Sequence, residues 1–168
     1  VNIFVLDSDP AIAAEMLCDK HIVKMPLESA QMLSTAINMR GGDALYKSTH
    51  INHPCSVWTR QTLGNFLWLY DHGIALCDEY TNRYNKEHKS RAVIVDCLKQ
   101  ANKLGPAFIN LRRTQHPLCM PDEYKTDSVV DSYRDYYSCE KYMIASWSKT
   151  SPPSWWPQQT DILCPIPA

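Results

Sequence analysis

Asp19, Lys20, His21, Lys24, Glu28 and Gln31 crowd into one helix-length stretch between Cys18 and Gln31. At 3.6 residues per turn, His21, Lys24, Glu28 and Gln31 recur at intervals of three or four and share a helix face, with Asp19 on its flank. Such a face brings an acid, a base and a cation together. Nearby cations lower a carboxylate pKa while burial raises it, so Glu28 can be poised for general acid–base work. His21, Lys24 and Asp19 are its supporting candidates. The alternative for the same spacing is a solvated stripe of ion pairs with no chemistry of its own.

Three further groups carry chemical potential. In His50-x-x-His53-x-Cys55, two imidazoles and a thiolate are close enough to hold zinc, with His21 or His116 as a distant fourth ligand. The spacing departs from common structural zinc patterns, and His53-Pro54 reads equally well as a helix entrance. From Arg83 to Arg113 the chain bears Arg83, Lys86, Lys89, Arg91, Lys99, Lys103, Arg112 and Arg113 against only Glu87 and Asp96, a bias suited either to a polyanion or to solubilised helix surfaces. Tyr133, Tyr136, Tyr137 and Tyr142 lie near Arg134 and Lys141, followed by Trp147, Trp155 and Trp156. That mixture can stack bases and grip phosphates, or it can fill a core and pin the tail. There is no G-x-x-x-x-G-K-[ST], G-x-G-x-x-G or G-x-S-x-G, so P-loop, dinucleotide and hydrolase-elbow chemistries are unsupported.

Elements must position these groups. With 168 residues, 45% of them apolar, the chain suits one domain. The expected fold is all-α: a compact helical domain with an extended N-terminal segment, Val1 to Leu6, and an irregular, aromatic, proline-rich tail over 150–168. Asp9-Pro10 marks a helix start. The apolar pattern from Ala13 to Ala36 predicts one long helix, kinked at Pro26 and ended by Gly41-Gly42. A second long helix is expected from His53-Pro54 to Tyr84 with a break near Gly73, a shorter one capped by Ser90 that stops at Gly105-Pro106, and another from Asp127 to about Trp147. The stretch from Gly105 to Asp122 reads as a long loop.

A net charge of −1 argues against a large uniform positive field. The seven cysteines are scattered and form no C-x-x-C pair, which suggests neither a disulfide framework nor a zinc ribbon; reduced thiols in a cytoplasm fit best. No apolar run reaches the roughly 20 residues of a bilayer span, and Val1 to Asp9 lacks the pattern of a signal peptide.

The segments N-I-F-x-L-D-x-D-P from Asn2, C-D-K-H-I-V-K-M-x-L-E-x-A-Q from Cys18, T-H-x-N-H-P-C from Thr49 and M-P-D-E-Y-K from Met120 resemble a family common in tailed bacteriophages. Leu17-Cys18-Asp19-Lys20-His21, with Glu28 seven residues beyond the histidine and Pro26 nearby, is similar to the phage pyrimidine-dimer DNA glycosylase/AP lyases of the endonuclease V type. That resemblance implies a small, helical, cytosolic, cofactor-free enzyme acting on DNA. Its nucleophile would be the α-amino group of the first residue, Val1. Its glutamate, Glu28, would assist sugar ring opening and later proton transfer. An α-amine retains a neutral, nucleophilic fraction near neutral pH, so it can attack C1′, form a Schiff base and permit β-elimination. Where the family places phosphate-binding arginines, this chain has Leu27 and Gln31, leaving Lys20 and Lys24 to supply charge as points rather than bidentate forks.

The resulting expectation is a DNA glycosylase/AP-lyase-like enzyme with Val1 and Glu28 central. Lys20, Gln31, Arg83, Lys86, Arg112, Arg113, Arg134, Trp155 and Trp156 are its nucleic-acid contacts, and a flipped base would rest against the aromatic tail. Two alternatives are a non-enzymatic phage protein that binds a nucleotide or a host protein, and a metal-dependent hydrolase centred on His50, His53 and Cys55.

Overall fold

The computed structural model describes residues 1–158 and 164–165; the rest of the predicted irregular tail lies outside the described residues. Six helices follow in order: α1 (Pro10–Met16), α2 (Asp19–Met39), α3 (Pro54–Gln61), α4 (Leu63–Tyr84), α5 (Ser90–Lys103) and α6 (Val129–Glu140). Short 3-10 turns occupy Gly105–Phe108 and Asp122–Tyr124, and no strand occurs among the described residues. None of these helices is long and apolar enough to cross a membrane. The fold is all-α, as expected.

α2 is the central element, packed against α3, α4 and α5, while α1 lies on α4. All six helices contribute to one buried cluster that includes Leu17, Met25, Leu33, Phe66, Leu69, Ile94 and Tyr133. Gly73 lies within α4 and does not break it. A Cβ there would stand 3.1 Å from Ile94 Cδ1 and 3.4 Å from Ser29 Cβ, so this glycine admits a close approach of α5 and α2.

The breaks fall elsewhere, where backbone groups find partners outside a helix. The Asp9 carboxylate accepts from the Ala11 and Ile12 amides at 2.8 and 3.1 Å, and Pro10 fills the first turn of α1. The predicted single first helix is two, interrupted at Leu17-Cys18. Arg83 caps the end of α1, donating from Nη2 to the Glu15 carbonyl (3.0 Å) and from Nη1 to the Leu17 carbonyl (2.8 Å). The Cys18 amide donates to the Tyr137 hydroxyl at 3.0 Å. A second interruption at Thr62 separates α3 from α4, where the Thr62 hydroxyl caps the Asn65 amide at 3.0 Å. Ser128, rather than Asp127, caps α6, which ends at Glu140, short of Trp147. Ser90 is the first residue of α5 and not its cap.

Cys139 near the end of α6 is joined by a disulfide to Cys164. This departs from the expectation of wholly reduced thiols, because the two cysteines are 25 positions apart and only the return of the tail onto α6 brings them together.

Candidate active site

Residues 1–6 form neither helix nor strand; they lie over α2 and turn sharply. Phe4 has φ +55°, a conformation rare for a bulky side chain. Asn2 helps impose it: its Oδ1 accepts from the Ile3 amide at 2.8 Å and from the Tyr133 hydroxyl at 3.1 Å, and its Nδ2 donates to the Cys119 carbonyl at 2.9 Å. The Phe4 ring then stacks on His21, centroids 4.6 Å apart, and meets the edge of Tyr137 at 5.4 Å. Strain at Phe4 is thus over-determined by side-chain contacts.

This turn delivers the Val1 nitrogen to 3.9 Å from Glu28 Oε2, while the Asn2 amide donates to the same oxygen at 3.2 Å. The other carboxylate oxygen, Oε1, pairs with Lys24 Nζ at 3.1 Å. Glu28 is nearly buried, its side chain 10% exposed, whereas Lys24 reaches solvent at 65%. The separation of 3.9 Å exceeds a hydrogen bond, so the amine is held near the acid without being locked to it.

His21 backs this cluster from the interior. Its Nδ1 lies 2.7 Å from the Tyr137 hydroxyl, which also accepts from the Cys18 amide. Burial first, then the charges of Lys141 and Lys24, lower its pKa to about 4 against a small opposing effect of Glu28. A neutral imidazole that accepts the Tyr137 proton at Nδ1 carries its own proton on Nε2. Lys141 completes the cationic rim, its Nζ lying 5.8 Å from the Phe4 ring centre and 5.3 Å from that of Tyr136.

On another side of the N-terminal segment stand His53, Cys55 and Cys119. The Cys55 and Cys119 sulfurs are 3.5 Å apart, and His53 Nδ1 accepts from the Cys55 amide at 3.2 Å. The hydrogen bond from Cys55 lowers the Cys119 thiol pKa, helped by Tyr133, whereas that bond and burial raise Cys55. His53 is lowered chiefly by burial, with the positive N-terminus adding to the effect.

Several predicted site residues stand elsewhere. Asp19 belongs to a structural joint: its Oδ1 pairs with Arg83 Nη1 at 3.1 Å, and its Oδ2 accepts from the Ser148 amide and hydroxyl, each at 2.8 Å. Burial alone would raise the Asp19 carboxyl, but the bonds from Ser148 and Arg83 outweigh it and the net shift is downward. Arg83 is 3% exposed, with Nε also bonded to Glu79 at 2.8 Å, so it has no free face for a phosphate. Arg134 donates to the Leu6 carbonyl and Asp7 and lies over Trp155, whose indole donates to the Met16 sulfur. Trp156 packs among Tyr137, Tyr142 and Trp147. These contacts pin the tail against α6 and α1.

Lys20, Lys86 and Arg112 are exposed, Arg113 lies against Trp68 and Ser8, and Gln31 is half-buried one turn beyond Glu28. Of the proposed zinc residues, His50 is turned outward and bonded to Thr49, and Cys119 takes its place beside His53 and Cys55. Neither suggested fourth ligand joins them: His21 is bonded to Tyr137, and His116 stacks on Trp58 and meets Trp68 edge-on. Sequence reasoning missed Asn2, Phe4, Cys119 and Lys141 as parts of the site. Asn2 and Phe4 stand in the N-I-F motif, and Cys119 falls in the expected long loop, the signals open to a reader of the sequence.

The pyrimidine dimer DNA glycosylase family matches residues 1–92, more than half of the chain. This chain belongs to that family. The matched region contains the N-terminal turn, all of α2, and His53 and Cys55, but not Cys119 or Tyr133. Family membership supports a DNA glycosylase-type function in general terms and, with it, binding to DNA. Searches of curated proteins and of solved structures return no match.

Proposed function

We propose that the chain is a DNA glycosylase with AP-lyase activity, in which the α-amino group of Val1 is the nucleophile and Glu28 is the acid–base partner. The approach of the Val1 nitrogen to 3.9 Å from the Glu28 carboxylate carries this reading. At that distance the nitrogen and the carboxylate are close enough to act together on one sugar, the amine at C1′ and the acid at the adjoining ring oxygen.

In the proposed reaction the neutral amine attacks C1′ of the target nucleotide. The glycosidic bond breaks and the base departs with its electron pair and a proton. Protonation of the ring oxygen, assigned to Glu28, opens the sugar as the Schiff base forms. Loss of a C2′ proton then expels the 3′-phosphate by β-elimination. Lys24, held by Glu28 Oε1 yet largely exposed, is placed to meet a phosphate, with Lys20 and Lys141 as further cations. His21 acts as a positioning residue that, neutral and stacked on Phe4, fixes the turn presenting the amine. Asp19, Arg83, Arg134, Trp155 and Trp156 are assigned to the scaffold.

The test uses polypeptide shown by mass spectrometry to begin at Val1, incubated with borohydride and an oligonucleotide bearing either an abasic site or a pyrimidine dimer. A covalent adduct mapped to the Val1 nitrogen, with strand scission lost in Glu28→Gln, is the expected result. An adduct on a lysine side chain, or unchanged turnover in Glu28→Gln, refutes the assignment.

A further inference from the structure

Three side chains beside the Val1–Glu28 pair have no part in that chemistry. One ring nitrogen of His53 and the sulfurs of Cys55 and Cys119 all lie within 4.8 Å of one another, and the two sulfurs are 3.5 Å apart. Tetrahedral zinc, with bonds of about 2.3 Å to sulfur and about 2.0–2.1 Å to nitrogen, requires ligand atoms roughly 3.6–3.8 Å apart. The observed set is therefore within a small side-chain adjustment of that geometry.

Local contacts hold the three groups near one another. His53 and Cys55 stand at the start of α3, where His53 Nδ1 accepts from the Cys55 amide, a bond that yields when the ring offers its lone pair to the ion. Cys119 lies on a loop held on both sides of the residue: its amide donates to the Tyr133 hydroxyl at 3.3 Å, and its carbonyl accepts from Asn2 Nδ2 at 2.9 Å. Cys55 is buried, while His53 and Cys119 are only half-buried, which leaves a path from solvent. A donor set of one imidazole and two thiolates selects thiophilic borderline ions over magnesium or calcium, which require oxygen ligands.

We propose that His53, Cys55 and Cys119 form a binding site for a divalent cation of the zinc class, with a fourth position open to water. The ion ties the start of α3 to the loop carrying Cys119, and so stiffens the platform on which Asn2 rests. Binding releases the protons of the two thiols to solvent.

The reduced full-length protein is loaded with zinc chloride in thiol-free buffer, gel-filtered and analysed for metal; parallel samples receive cobalt(II). One zinc per chain, a near-ultraviolet thiolate-to-cobalt charge-transfer band and a zinc-dependent rise in Tm are expected. Cys119→Ser should lose the charge-transfer intensity contributed by that sulfur and weaken zinc binding by at least tenfold. His53→Asn keeps a helix-capping side chain and should weaken binding similarly with unchanged circular dichroism, which separates loss of a ligand from loss of fold. Reduced protein that emerges free of zinc, a cobalt complex without the band, or undiminished zinc binding in both variants overturns the proposal. No DNA enters these measurements, so their outcome is independent of the glycosylase reading.

Discussion

Asn2→Ala tests whether the N-terminal turn is what presents the amine. Within the turn the Asn2 side chain accepts from the Ile3 amide (2.8 Å), and it reaches the rest of the fold through the Cys119 carbonyl (2.9 Å) and the Tyr133 hydroxyl (3.1 Å), whose single proton is shared with the Pro117 carbonyl. A hydrogen bond contributes a net of about 1 kcal/mol and a shared one less, so loss of the two outward contacts weakens docking of the segment by about 1.5 kcal/mol. Since about 1.4 kcal/mol corresponds to a factor of ten, the ratio of docked to released N-terminus falls roughly tenfold. The Tyr133 hydroxyl still reaches the Pro117 carbonyl at 2.9 Å, and the backbone bond from Asn2 to Glu28 remains possible. Two assays should therefore move in opposite directions. Acylation of the α-amine by an amine-reactive ester rises, by up to about tenfold, because Val1 is no longer held beneath its neighbours. Borohydride capture of an abasic-site oligonucleotide falls by a similar factor. If both rates stay within about threefold of the parent while circular dichroism is unchanged, Asn2 does not position the amine and this reasoning fails.

Three further outcomes follow from buried or closely approached groups. Burial is the largest cause in each case that lowers His21 and His72 to about 4 and His116 to about 3. These folded-state values lie below the ordinary 6.5, so the unfolded chain takes up protons first as the pH falls. Their stabilising contribution is present above pH 6.5 and is lost on descent towards the folded values, about 2 kcal/mol apiece by pH 5 as an upper estimate. Equal urea midpoints at pH 7.5 and pH 5 would contradict this. Arg83→Met strands Asp19 and uncaps the carbonyls of Glu15 and Leu17; a cost of about 3–5 kcal/mol in denaturant titration is expected, and one below about 1 kcal/mol would rule out the joint described. Gly64→Ala offers a test of sign. Its Cβ would stand 2.3 Å from the Leu111 carbonyl oxygen, so a loss of about 1–3 kcal/mol is expected, whereas helix propensity alone would make alanine the more stable residue by up to about 1 kcal/mol.

Much of the helical framework was legible from local rules. Asp9-Pro10 opens α1 because a side-chain oxygen and a preset φ satisfy the first turn wherever they occur. His21, Lys24 and Glu28 share a face because helix periodicity fixes side-chain direction. The breaks at Leu17-Cys18 and Thr62 were not legible, because apolar periodicity continues through both. What interrupts the first is a pair of partners far away in sequence, Arg83 donating to the Leu17 carbonyl and Tyr137 accepting from the Cys18 amide.

For the candidate site, the sequence alone determined which residue types could do chemistry, and through its family motif it singled out Val1 and Glu28. Tertiary structure decided which of them meet. Asp19 and Arg83 pair with each other, and the tail tryptophans pack inward, because burial makes charges and rings seek partners rather than solvent. Cys119 comes beside Cys55 across 64 positions, and the Val1 nitrogen comes beside Glu28 in a turn whose Asn2 is held by Cys119 and Tyr133. Helix periodicity reaches only a few residues along the chain, whereas these contacts depend on how separate elements pack around a common core.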